Sequence, residues 1–180
     1  MEAFQIHNRE TAPADSQPLL DTSVNSFGMI PNLHGVMAEA PTLLAGYQFL
    51  HDQFLKTSFT AEEKTVVWQT INVEHGCHYC VPAHSAIAKS MKVDTALNEA
   101  LRNRETMPTE KLQVLHDTTL ALVRNRGVLS DRELARFHGA GYGRQQLLEI
   151  ILGLAQKVMS NYTNHLADTP VDDAFKAFVK

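Results

Sequence analysis

Apolar residues recur at helical spacing along most of the chain. Pro41 opens a segment through Leu55 whose apolar positions are Leu43, Leu44, Tyr47, Phe49, Leu50 and Phe54. Thr60 and Glu63 have the spacing of a capping box, and they begin a helix through Val66, Val67, Trp68 and Ile71 toward Glu74. A further helix is expected from near His78 to about Lys89. Asp94 caps a short helix ending at about Arg102, and Pro108 begins one that carries Leu112, Leu115, Leu122 and Val123 before Gly127 stops it. Ser130 and Glu133 repeat the capping box. The segment after Gly143 or Arg144 then runs through Leu147, Leu148, Ile150, Ile151, Leu152, Leu154, Val158 and Met159. These residues cover most of a helix circumference, which predicts burial on several sides. A last short helix should follow Pro170, through Phe175 and Phe178.

No segment alternates apolar and polar residues with β-branched enrichment, and there is no glycine-rich phosphate loop. The expected fold class is therefore all-α, a multi-helix bundle with almost no strand. Residues 1–30 contain Pro13 and Pro18 and few periodic apolar positions, and they read as an extended arm ahead of one helical domain over residues 31–180.

Composition narrows the setting. A chain of 180 residues can bury a full core without staples. The longest uncharged stretch, Thr22 to Ala38, is interrupted by Gly28, Pro31 and Gly35, so no spanning helix is expected, and Glu2, Arg9, Glu10 and Asp15 replace any apolar signal core. Cytoplasmic residence follows as the expectation. The net charge of −4 and the scattered Lys and Arg argue against nucleic-acid and anionic membrane partners.

The chemistry concentrates in Glu74-His75-Gly76-Cys77-His78-Tyr79-Cys80-Val81-Pro82-Ala83-His84, which holds both cysteines of the chain. Cysteines three apart at a helix start lie near the Cα separation that a disulfide requires. Pro82, lacking an N–H, fits the first turn of a helix, which would leave Cys80 among unpaired first-turn N–H groups and Cys77 at the cap. His84, one turn beyond Cys80, is spaced to accept its proton. A thiolate stabilised in this way is a nucleophile, so the spacing points to redox catalysis. Three other readings of the same residues stay open. The cysteines could be buried apolar packing, a structural disulfide, or ligands with His84 of a zinc site completed by His75, His78 or Glu74.

From Glu74 to His84 the chain resembles the alkylhydroperoxidase D and carboxymuconolactone decarboxylase superfamily, whose redox members carry C-x-x-C-x-x-x-H at a helix start. The resemblance extends to Phe27-Gly28-x-x-Pro31-Asn32 followed by Pro41. It extends also to Asn161-Tyr162-Thr163-Asn164-His165, which looks like the terminal helix of a peroxidase-like branch. It implies an all-helical fold, assembly into trimers or hexamers, and a thiol peroxidase that takes a hydroperoxide substrate and an external dithiol reductant without metal or organic cofactor. In that resemblance Cys80 matches the peroxidatic cysteine, Cys77 the resolving cysteine and His84 the relay histidine. The relay glutamate, twelve residues before the first cysteine, is replaced by Thr65, and Glu74 is the nearest carboxylate that could take over its task. Rival functions are a zinc-binding or redox-sensing interaction protein and a decarboxylase-like lyase.

Overall fold

The computed structural model describes residues 3–180, and every regular element among them is helical. A 3₁₀ turn at Ala14–Ser16 leads into α1 (Gln17–Phe27), followed by α2 (Asn32–Met37), α3 (Pro41–Leu55), α4 (Ala61–Glu74), α5 (Cys80–Ser90), α6 (Thr95–Asn103), α7 (Glu110–Arg124), α8 (Asp131–Gly139) and α9 (Arg144–Ala167). A second 3₁₀ turn, Asp173–Phe178, closes the chain.

The helix starts follow local chemistry. Thr60 Oγ1 accepts from the Glu63 N–H at 3.2 Å while Glu63 Oε2 accepts from the Thr60 N–H at 2.9 Å, and Ser130 and Glu133 make the same reciprocal cap on α8. Asp94 accepts from the Ala96 N–H at the start of α6. Two starts differ from the sequence expectation by two residues. Thr109, not Pro108, caps α7, and α5 begins at Cys80, not His78.

The expected extended arm is corrected in its second half, where residues 17–27 are helical. Pro18 occupies the first turn of α1, where a missing N–H does no harm, so it marks a start and not a break. Leu20 is fully buried, Ser16 Oγ donates to the Ala38 carbonyl, and Gln48 donates to the Leu19 carbonyl. The segment after Pro170 forms only a 3₁₀ turn without a buried residue, because its apolar side chains are too few to hold a full helix down.

Helix α4 is the axis of the domain and packs against α5, α6, α7 and α9. It is buried at every position from Thr65 to Asn72, which explains why its apolar residues show no one-sided pattern. Two apolar clusters form around it. One joins Val66, Val67, Trp68 and Ile71 to α6, α7 and Phe137 of α8, and the other joins α1, α2 and α3 to Cys77, Tyr79, Cys80 and Ala83. The cysteine turn thus lies at the seam between two cores.

Close approach of α9 to this axis depends on Gly153. A Cβ there would stand 2.6 Å from a Phe54 ring carbon and 3.0 Å from Val67. Gly153→Ala should therefore destabilise the protein by about 1–3 kcal/mol through overpacking, read as a lower midpoint with unchanged slope in urea denaturation.

Candidate active site

Gly76 fixes the geometry of the dithiol. With φ of 64° it takes the left-handed conformation that lets α4 end in paired closing bonds, the Gly76 N–H to the Val73 carbonyl and the Cys77 N–H to the Asn72 carbonyl. The chain reverses at once, and Cys77 enters the core one residue later. Three residues on, Cys80 opens α5, with Pro82 in its first turn as the sequence predicted. Both cysteines are buried thiols.

The first-turn N–H groups do not serve the sulfur expected to use them. The Cys80 N–H donates to Cys77 Sγ at 3.2 Å, so this first-turn donor serves Cys77, while Tyr79 is the N-cap residue of α5. The groups that address Cys80 come from α9. Asn164 Nδ2 stands 3.2 Å from Cys80 Sγ and 3.9 Å from Cys77 Sγ. One turn earlier, Asn161 donates to Asn72 Oδ1 at 3.0 Å and pairs with His75 Nδ1 at 2.8 Å. A further turn back, Lys157 is fully buried, and its Nζ lies 2.6 Å from His84 Nε2.

His84 is accordingly not placed as the base that receives the Cys80 proton. Its Nε2 is occupied by Lys157, its Nδ1 has no hydrogen-bond partner among the described residues, and its ring meets Trp68 edge to face at 4.9 Å. Burial, then the adjacent Lys157 charge, hold its pKa well below the ordinary imidazole value, so it is a neutral acceptor.

The two thiols are driven apart. Burial pushes the Cys80 thiol up, but the Cys77 S–H, the Lys157 charge and the amides of Asn161 and Asn164 outweigh it and bring it down to about 6. Cys77 is pushed far up, first by donating to Cys80 and then by burial. The environment thus favours a thiolate on Cys80 over one on Cys77. Burial lowers the Lys157 pKa while the neighbouring sulfurs raise it, so ammonium and thiolate sustain one another.

Cys80, His84 and Lys157 share a pocket of about 80 Å³ whose remaining walls include Leu33, His34, Tyr47, His51, Ile87 and Phe175. Cys77 is not part of its lining. Burial holds His34 near 3 and His51 near 4, so both imidazoles are neutral walls at physiological pH. His51 stacks on Trp68 at 5.7 Å, and Gln156 ties the two together by accepting from Trp68 Nε1 and pairing with His51 Nδ1.

Cys77, Cys80 and His84 thus come together as the sequence indicated, and Glu74 does not join them. Its carboxylate accepts from Arg124 at 2.6 and 2.9 Å and from Arg104 at 3.3 Å, a surface pairing of α4 with α6 and α7 that lowers its pKa, chiefly through the Arg124 hydrogen bond. Thr65 donates to the Ala61 carbonyl within its own helix. The donors of a zinc site are likewise engaged elsewhere. His75 pairs with Asn161 and His78 Nε2 with the Thr169 carbonyl, and the described residues contain no group of three His, Cys, Asp or Glu placed to hold a metal.

Sequence reasoning passed over Lys157. The signal was present: within an α9 otherwise apolar around its circumference, Gln156, Lys157, Ser160, Asn161 and Asn164 recur at the spacing normally kept for core leucines.

Alkylation of Cys80 by iodoacetamide should rise through about pH 6 in the native protein. Lys157→Met should move the midpoint upward, since the Lys157 charge is one of the influences that lower the Cys80 pKa and a nearby opposite charge shifts a pKa by about 1–3 units. Glu74→Gln should leave it in place.

No protein-family model matches the chain, and no curated protein matches it in sequence. Solved structures do resemble it. A structure described as an alkylhydroperoxidase AhpD core, an uncharacterized peroxidase-related protein from Ralstonia eutropha JMP134, superposes with TM-score 0.83 at 16% identity, over 97% of this chain and 96% of its own. An uncharacterized peroxidase-related protein from Silicibacter sp. TM1040 gives TM-score 0.82 at 15% identity, over 99% of this chain and 97% of its own. The debrominase Bmp8, solved with 2,3,4-tribromopyrrole as a cysteine-to-alanine variant, gives 0.82 at 19% identity, over 99% of this chain and 96% of its own. The dithiol turn, the axial α4 and the closing α9 belong to a chain with the alkylhydroperoxidase D-like fold.

Proposed function

We propose that this protein is a thiol-dependent oxidoreductase that reduces organic hydroperoxides through a Cys77/Cys80 dithiol–disulfide cycle. The observation that carries this reading is the split pair of sulfurs: the thiolate, Cys80, lines the pocket, and the thiol, Cys77, lies behind it. Cys80 S⁻ attacks the distal oxygen of ROOH, the O–O bond breaks, and Cys80 becomes a sulfenic acid while RO⁻ leaves as ROH once protonated. Cys77 then attacks the sulfenic sulfur, the S–S bond forms and water departs. An external dithiol reverses the oxidation by thiol exchange and becomes a disulfide itself. The two sulfurs carry all the electrons, so the cycle uses no metal or organic cofactor. Apolar walls at Leu33, Ile87 and Phe175 favour an organic peroxide over hydrogen peroxide.

A second reading keeps the same dithiol and replaces the peroxide by a halogenated aromatic. The likeness to the Bmp8 debrominase motivates it, and aromatic walls at Phe27, Tyr47, Tyr79 and Phe175 favour it. In that case Cys80 would take the halogen as X⁺, a proton would replace it on the ring, and Cys77 would expel halide to form the same disulfide.

Assembly into a trimer or hexamer is part of the proposal. Leu148 and Ile151 of α9 and Val128 border one apolar groove, and Leu148 is 71% exposed. A second copy covering this groove would complete the burial that the pattern of α9 predicts. Light scattering at low micromolar concentration should return a multiple of three chains, and Leu148→Glu should lower that mass.

Single substitutions test the sulfur roles. Cys80→Ser should abolish consumption of cumene hydroperoxide, whereas Cys77→Ser should undergo one fast oxidation and stop at a sulfenic acid that dimedone traps. Equal thiol reactivity in the two variants would overturn the assignment, and turnover of tribromopyrrole in place of the peroxide would favour the second reading.

A further inference from the structure

We propose that Lys157 is the general acid that protonates the departing alkoxide, and that its proton and the Cys77 thiol proton complete the oxidation without drawing on solvent. The inference rests on the hydroperoxide reading above and adds the source of the proton.

Its basis is that, among the described residues, no Asp or Glu lines the pocket that Lys157 shares with Cys80. The ionisable groups in that lining are His34, Tyr47, His51, Tyr79, Cys80 and His84, and the sulfurs of Cys80 and Cys77 are the charges that act on Lys157. The carboxylate of Asp52 lies in the adjoining pocket and acts on His51. The Cys80 thiolate is thus the counter-anion of Lys157. Once Cys80 is oxidised, that anion is gone, and a buried ammonium without a counter-charge is strongly disfavoured. The same step creates an alkoxide in the same pocket. Transfer of one proton from Nζ to that oxygen removes both unpaired charges together.

His84 fits a positioning role in this step. As a neutral acceptor at 2.6 Å it orients Nζ, and with Nε2 engaged by Lys157 it has no proton on that nitrogen to give. The protons balance. Cys80–S⁻, ROOH and Lys157–NH₃⁺ give Cys80–SOH, ROH and Lys157–NH₂; Cys77–SH and Cys80–SOH then give the disulfide and water. On reduction, the two protons of the external dithiol restore Cys77–SH and Lys157–NH₃⁺ as Cys80 returns to thiolate.

The test compares leaving groups. Single-turnover oxidation of reduced protein is followed with tert-butyl hydroperoxide, which expels a strongly basic alkoxide, and with peracetic acid, which expels acetate and needs no proton. Rates are taken at a pH where thiolate absorbance shows Cys80 fully ionised in each variant. Lys157→Met should lose about 10²-fold or more with the alkyl hydroperoxide and far less with the peracid. Equal losses with both oxidants would reduce Lys157 to a thiolate-stabilising charge and overturn the proposal. Native protein that consumes neither oxidant would instead overturn the hydroperoxide reading. A second measurement needs no variant. The ¹³Cε resonance of Lys157 at neutral pH should report an ammonium in the reduced protein and an amine in the disulfide form, and an ammonium in both forms would contradict the proposal.

Discussion

One buried contact, Lys157 Nζ at 2.6 Å from His84 Nε2 in the pocket that Cys80 also lines, constrains the composition of everything around it. A buried ammonium or thiolate is costly without compensating partners. Uncharged groups complete these surroundings: Asn164 on the Cys80 sulfur, His84 on Lys157, and Asn161 linked to Asn72 and His75. On the reading proposed above, the Cys80 sulfur would change its charge during the cycle, whereas a carboxylate in its place would hold Lys157 permanently as an ammonium.

The helices meet this constraint by interlocking polar side chains across the seam of the two apolar cores. Gln69 of α4 donates to the Val81 carbonyl, Ser85 and Asn98, which fixes α5 and α6 against the axis. Asn72 donates to Gln69 Oε1 and accepts from Asn161, which fixes α9. Gln156 does the same for Trp68 and His51. These bonds align three helices on α4, and the buried atoms of the site left without a partner among the described residues are His84 Nδ1 and Asn164 Oδ1. The C-terminal turn adds a further contact, since Tyr79, between the two cysteines, donates to Asp172, whose carboxylate also accepts from the Asn32 N–H.

The solved structures of the same fold are described with peroxidase-related and debrominating chemistry. On the readings proposed above, a thiolate backed by a second thiol would serve either a hydroperoxide or a halogenated aromatic, and the walls of the pocket would select between them.

Much of this was legible in the sequence, for a local reason. Capping boxes at Thr60 and Ser130, the glycine that closes α4 and the C-x-x-C-x-x-x-H spacing act within one or two turns of chain, so residue order alone determined the helices and placed Cys77, Cys80 and His84 together. The arm before residue 31 was misread because Pro18 is compatible with both a break and a first turn, and only the packing of Leu20 selects the helix. Glu74 looked like a relay partner because it lies three residues before Cys77 in sequence, yet the end of α4 turns it outward to Arg104 and Arg124. Lys157 lies 73 residues from His84, and nothing local requires them to meet. Their contact depends on Gly153 letting α9 approach α4 closely, so the place of Lys157 in the Cys80 pocket was decided by tertiary packing, where side chains distant in sequence share one volume.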